Sequence, residues 1–340
     1  MARPVLKVLA LGFAMLVQAG PAALAYSDMY PPTEIARDAH RLETAVRKIY
    51  RRGLAPGLSR RERARLGKIA LRFPAPKPDD ALLNFYAYTQ DGVGHVVMPI
   101  LSLKQLEDLA TAYAWLQVNR KSLSSIDLYF AMLRHKLVID FPGGRFPDIL
   151  SALGLPKDAH TQRGVDTLSL SLRNEAFAFI IAHELGHILY RHKPYADITK
   201  PQARADELQS DRFALDLLVR TNTPPMGAVL FFQAQAYAMP HRGQFATEAE
   251  WTTFLNKAAT HPMSTERIAL MAGTFSGPLA RRRPSEAATW RAIGAGVLKI
   301  NRILEEVAIQ RCIAKTASAS SLDDLKPSRA HVGLAGCQSR

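Results

Sequence analysis

Two histidines and a glutamate, His183, Glu184 and His187, stand together in the stretch HELGH. Imidazole nitrogens and carboxylate oxygens bind metals and carry protons, so what matters is how the chain aims them. The surrounding segment, Asn174 to His192, reads NEAFAFIIAHELGHILYRH. Its apolar residues Phe177, Ile180, Ile181, Leu185, Ile188 and Leu189 recur at helical spacing, which predicts a helix buried on one side. Pro194 ends it. Residues four apart on a helix share a face, one turn above the other. His183 and His187 therefore aim two imidazoles at one point, as a tetrahedral zinc ion requires. Glu184 lies beside that point, within reach of a water on the metal. This pattern suits hydrolysis: the metal acidifies the water and the carboxylate takes its proton.

A catalytic zinc wants three protein ligands and one open position. A second helix, expected over Pro201 to Arg220, carries Glu207 and Asp211 four residues apart on one face. Glu207 follows His187 by twenty residues, enough chain to turn back and pack antiparallel, and is the natural third ligand. Asp211 suits a supporting role, accepting the free N–H of a ligating imidazole. Hydrolysis of an amide also needs a group to stabilise the oxyanion. Tyr195, His261 and Arg267 are the candidates. His261 could instead fill the open metal position and hold the site latent.

These motifs together carry a resemblance. HELGH followed by His192, then ExxSD at Glu207 to Asp211, then HPMSTERI from His261 onward, resembles the gluzincin zinc peptidases. The closest likeness is to the family that includes the CAAX prenyl endopeptidases, the HtpX-type heat-shock proteases and their soluble periplasmic relatives. The resemblance spans roughly Glu175 to Met271. It implies one Zn2+ per chain on His183, His187 and Glu207, with Glu184 as general base and Asp211 orienting a ligand. It also favours His261 and Arg267 as catalytic residues near the cleft. Ser210 stands where the family usually has Ala, and the interval from HELGH to Glu207 is shorter than the family's.

The elements that must position these residues follow from the rest of the chain. Its 340 residues, 48% hydrophobic and 22% charged, have a globular composition and can bury an ordinary core. The expected fold class is α+β, mainly helical: a zincin-like metallopeptidase domain with a small β-sheet beside the HExxH helix. The expected organisation is a signal peptide at 1–25, a mainly helical N-terminal region at 26–95, the metallopeptidase domain at 96–274, and a basic linker, long helix and loose tail at 275–340.

Arg3 and Lys7, the short apolar run Val8 to Val17, and Ala23-Leu24-Ala25 form an export signal cleaved near Ala25. Its apolar core is too short to span a bilayer. The expected location is therefore the periplasm or cell envelope. There Cys312 and Cys337 could form a disulfide or remain two thiols. Loss of Arg3 and Lys7 lowers the formal charge from +14 to +12. That charge allows peripheral contact with an anionic membrane surface. Export and the lack of a finger or RNA-binding motif argue against nucleic acid.

Leu82 to Leu101, with Asp91-Gly92 at its middle, reads as a hairpin. Leu137 to Phe141 reads as a short strand. Gly164 to Arg173 alternates and reads as another, with Thr167 to Leu172 as an edge for an extended substrate. Ser285 to Ala314 reads as one long helix. Its stripe of Trp290, Ile293, Val297, Ile300, Leu304 and Val307 would pack on its own domain or pair a homo-oligomer. The functional expectation is a zinc endopeptidase acting on unfolded or envelope proteins. The alternative is a latent, zinc-bound client-binding factor in envelope assembly.

Overall fold

The computed structural model describes residues 26–77, 82–194, 197–238, 245–257, 264–328 and 333–338. The expected export signal, Tyr195 and His261 lie outside them. Helix α1 (Pro32–Lys48) starts on a proline and buries Ile35, Leu42 and Val46, a stripe at helical spacing. The chain then winds through Ile49–Leu54 and Ala55–Gly57 into α2 (Arg60–Leu66). A reciprocal cap between Ser59 and Glu62 opens α2.

Three strands follow: β1 (Lys68–Arg72), β2 (Tyr86–Gln90) and β3 (Val93–Val97). Their order is β1-β3-β2, with β1 parallel and β2 antiparallel to β3. Ala70 and Tyr88 both stand opposite His95. Asp91 and Gly92, with φ of 51° and 72°, make the two-residue turn expected at Asp91-Gly92. The central strand is buried from Gly94 to Val97. Gly94 lets it approach α6 (Val165–Tyr190) closely, since a Cβ there would stand 2.8 Å from the Ile188 side chain.

Helix α3 (Ile100–Val118) is buried on nearly every side. It is followed by α4 (Ser124–His135) and the single turn α5 (Ile149–Ala152). Glu107 on α3 accepts from Arg41 on α1 and from Arg173 on α6, tying the N-terminal helix to the HELGH helix. Next come α6, α7 (Lys200–Arg220), α8 (Met226–Ala238), α9 (Glu248–Lys257), α10 (Thr265–Thr274) and the single turn α11 (Ala280–Arg282). One body of buried apolar side chains runs from Met29 to Cys337. Among the described residues, no helix is long and apolar enough to cross a membrane.

Three expectations differ from what is observed. Gly164 to Arg173 is the start of α6, not a strand. Leu168 and Leu172 alternate with Leu170 but are also four apart. The helix turns Leu172 inward and leaves Leu170 48% exposed. Leu137 to Phe141 holds a 3₁₀ turn over Val138–Asp140, with Asp140 accepting from the Leu137 N–H. The long C-terminal helix is three helices, α12 (Ala287–Leu298), α13 (Ile300–Glu305) and α14 (Val307–Ala319). Glu306 is extended, and the buried Gln310 amide donates to the freed carbonyls of Ile303 and Leu304. Trp290, Val297 and Ile300 of the apolar stripe are buried within the chain, and Trp290 stacks on Phe275. A disulfide joins Cys312 on α14 to Cys337 on the short α15 (Gly333–Gln338).

Candidate functional site

The site forms where α6 and α7 cross. Gly186 on α6 faces Ser210 on α7 so closely that a Cβ there would stand 2.9 Å from the Ser210 Cα. This backbone-to-backbone approach sets HELGH directly against Glu207 and Asp211. His183, Glu184, Glu207 and Asp211 are all buried, Asp211 completely, and His187 is partly so.

Three donor groups converge. His183 Nε2 lies 3.1 Å from His187 Nε2. Glu207 Oε1 is 3.3 Å from His187 Nε2, and Oε2 is 3.5 Å from His183 Nε2. Zinc bonds of the usual length set tetrahedral ligand atoms about 3.3 Å apart. The three donor groups therefore stand at about that spacing, with the Glu207 carboxylate presenting Oε1 to His187 and Oε2 to His183. Their chemistry, two imidazoles and a carboxylate, also suits a catalytic metal position. His183, His187 and Glu207 form a group that could hold a metal ion.

The support behind these donors is charged and specific. Asp211 Oδ1 lies 2.8 Å from His183 Nδ1, so the imidazole donates there and turns its Nε2 toward the other two. Arg267, on α10, clamps the pair of carboxylates. Its Nε and Nη2 donate to Asp211, the latter at 3.0 Å, and its Nη1 stands 3.1 Å from Glu207 Oε2. The guanidinium lies over the Phe232 ring, 5.1 Å from its centre. Burial would push the Asp211 carboxyl up, but the Arg267 charge and the His183 hydrogen bond hold it below its ordinary value. Burial would likewise push His183 down. Its hydrogen bonds to Asp211 and Glu207, with their charges, outweigh that and push it up to about 10. A proton and a metal ion thus compete for the same Nε2.

Arg267 is one of three oxyanion candidates, beside Tyr195 and His261, which lie outside the described residues. All three of its guanidinium nitrogens face Asp211 and Glu207, behind the donor set. The expected pairing edge at Thr167 to Leu172 is likewise helical; the edges of the sheet are β1 and β2. Two neighbours carry no separate role in the sequence reading. His192 Nδ1 is 3.0 Å from His187 Nδ1, and His192 Nε2 is 2.9 Å from Gln209 Oε1. The spacing of His192 after HELGH was visible, but no sequence signal points to Gln209.

Residues 154–286 match the family model of Peptidase U49. The match supports membership of a peptidase family, and it contains His183, Glu184, His187, Glu207, Asp211 and Arg267 together. A peptidase match implies a polypeptide substrate. No curated protein and no solved structure matches the chain.

Proposed function

We propose that this chain is a zinc-dependent endopeptidase of the gluzincin type that acts on proteins of the cell envelope. The observation that carries the reading is the set of His183, His187 and Glu207 donors at tetrahedral spacing, with Glu184 on the same helix beside them. His183, His187 and Glu207 would hold the zinc ion, which when bound would supply a Lewis acid for the scissile carbonyl and an acidified water.

The chain's own residues do the rest. Glu184 takes the proton of the attacking water and returns it to the nitrogen of the leaving amine. Asp211 keeps the His183 hydrogen on Nδ1, and Arg267 holds the Asp211 carboxyl below its ordinary value while its Nη1 pairs with Glu207. The buried surroundings strengthen each of these charge contacts relative to water. Two features support an exported location: the signal pattern of residues 1–25 and the Cys312–Cys337 bridge, a bond that persists in oxidising compartments.

The test is cleavage of an unfolded polypeptide by the chain from Tyr26 onward, with zinc quantified, beside Glu184→Gln. The variant should retain zinc and cleave at least about 100-fold more slowly. Normal cleavage by Glu184→Gln would remove Glu184 from the mechanism, and absence of zinc in the parent would remove the metal.

A further inference from the structure

An imidazole can offer Nε2 to a metal only when its hydrogen sits on Nδ1. For His183 the device that fixes this is the Asp211 carboxylate. For His187 the neighbour is another imidazole, with His192 Nδ1 at 3.0 Å from His187 Nδ1. Two ring nitrogens facing each other leave the direction of the hydrogen bond open. The far side of His192 closes it. His192 Nε2 is 2.9 Å from Gln209 Oε1 and 3.6 Å from Asp206 Oδ1, and both of those atoms only accept. The Asp206 oxygen is itself oriented by the Gln202 amide, which donates to it at 2.7 Å. His192 therefore carries its hydrogen on Nε2, and its Nδ1 lone pair accepts the Nδ1–H of His187. That leaves His187 Nε2 bare on the side where His183 and Glu207 converge. Ser210 Oγ, 3.5 Å from the same His192 Nδ1, sets a hydroxyl on the receiving side.

We propose that His192, oriented by Gln209, is a positioning residue that fixes the tautomer of His187. The inference rests on the metal site proposed above and assigns a second support to it. His192 touches no substrate and no metal; it acts through His187, as Asp211 acts through His183. Helix α7 then serves both imidazoles, with Asp211 behind one and Gln209 behind the other, while Glu207 on the same helix joins the donor set.

The test separates hydrogen bonding from packing. In His192→Asn the side-chain carbonyl can occupy the place of Nδ1 and still accept from His187. In His192→Gln the amide reaches the place of Nε2, and the acceptor is lost although more volume is kept. Zinc affinity, read by competition with a chromophoric chelator, should stay within about threefold for His192→Asn and weaken about 10- to 100-fold for His192→Gln. Nitrogen-15 spectra of the zinc-loaded parent should show hydrogens on His187 Nδ1 and on His192 Nε2. Equal affinities for the two variants, or a hydrogen on His192 Nδ1, would overturn the relay and leave the metal site standing. A parent that takes up no zinc would overturn the metal site and the relay with it.

Discussion

Gly186→Ala is the sharpest probe of how α6 and α7 build the site. The added Cβ would stand 2.9 Å from the Ser210 Cα, 3.2 Å from its Cβ and 3.3 Å from its carbonyl oxygen. Carbon atoms pack comfortably at about 3.5 Å and beyond, so the helices must separate by roughly 0.5 Å. The obstacle is backbone, and no change of rotamer removes it. Overpacking of this kind costs about 1–3 kcal/mol, while exchanging Gly for Ala in a helix returns about 1 kcal/mol. The net effect on stability is a loss of about 0–2 kcal/mol. The effect on metal binding is larger, because the donors come from both helices. The Glu207-to-histidine distances of 3.3 and 3.5 Å would open toward about 4 Å, wider than a tetrahedral face allows. Zinc affinity should fall by about tenfold or more. Thermal unfolding with and without chelator, together with chelator competition, reads both quantities. Gly296→Ala on α12 is the control, since a Cβ there meets nothing within 4 Å. It should gain up to about 1 kcal/mol and leave zinc untouched. The reasoning is refuted if Gly186→Ala behaves like Gly296→Ala in both measurements.

Two more outcomes follow from buried charge. Arg267→Met removes the guanidinium that bridges Asp211 and Glu207, and breaking such a buried pair costs about 3–5 kcal/mol. Arg267→Lys keeps the charge without the fork and should fall between; denaturant titrations in chelator that give all three proteins equal stability would sink the clamp. Asp127 is buried, accepts from the Gln233 amide at 2.6 Å, and burial pushes its carboxyl up to about 7. The folded chain then binds more protons than the unfolded one between roughly pH 4 and 7. The contribution of Asp127 to stability therefore falls as pH rises through that window. Asp127→Asn should remove this slope and gain stability relative to the parent at pH 8; a parallel pH profile for the two proteins would contradict it.

The donor residues were legible in the sequence because a helix fixes direction. Once HELGH and the ExxSD helix are assigned, His183, His187, Glu207 and Asp211 can face only a few ways. The Asp91-Gly92 hairpin was legible for a similar local reason. Arg267 was visible as part of a motif, but its partner Asp211 is 56 residues away, and only the tertiary fold decides that the guanidinium faces inward. The start of α6 was misread because Leu168, Leu170 and Leu172 satisfy period two and a four-residue repeat at once, so periodicity could not arbitrate. The break at Glu306 was hidden because Gln310 compensates it from the next helix, through a contact with no local signature.

The Cys312–Cys337 bridge has a bearing on survival. If the chain cleaves extended polypeptides as proposed, copies of itself are among the chains within reach, and loose surface stretches are the most open to attack. Here α15 is fastened to α14 by a covalent bond, with Leu334 and Cys337 buried beneath it. To become a substrate it would have to unwind and lie extended in a neighbour's cleft, and the bridge opposes that departure. The bridge thereby holds α15 on α14 against unwinding as long as the bond stays oxidised.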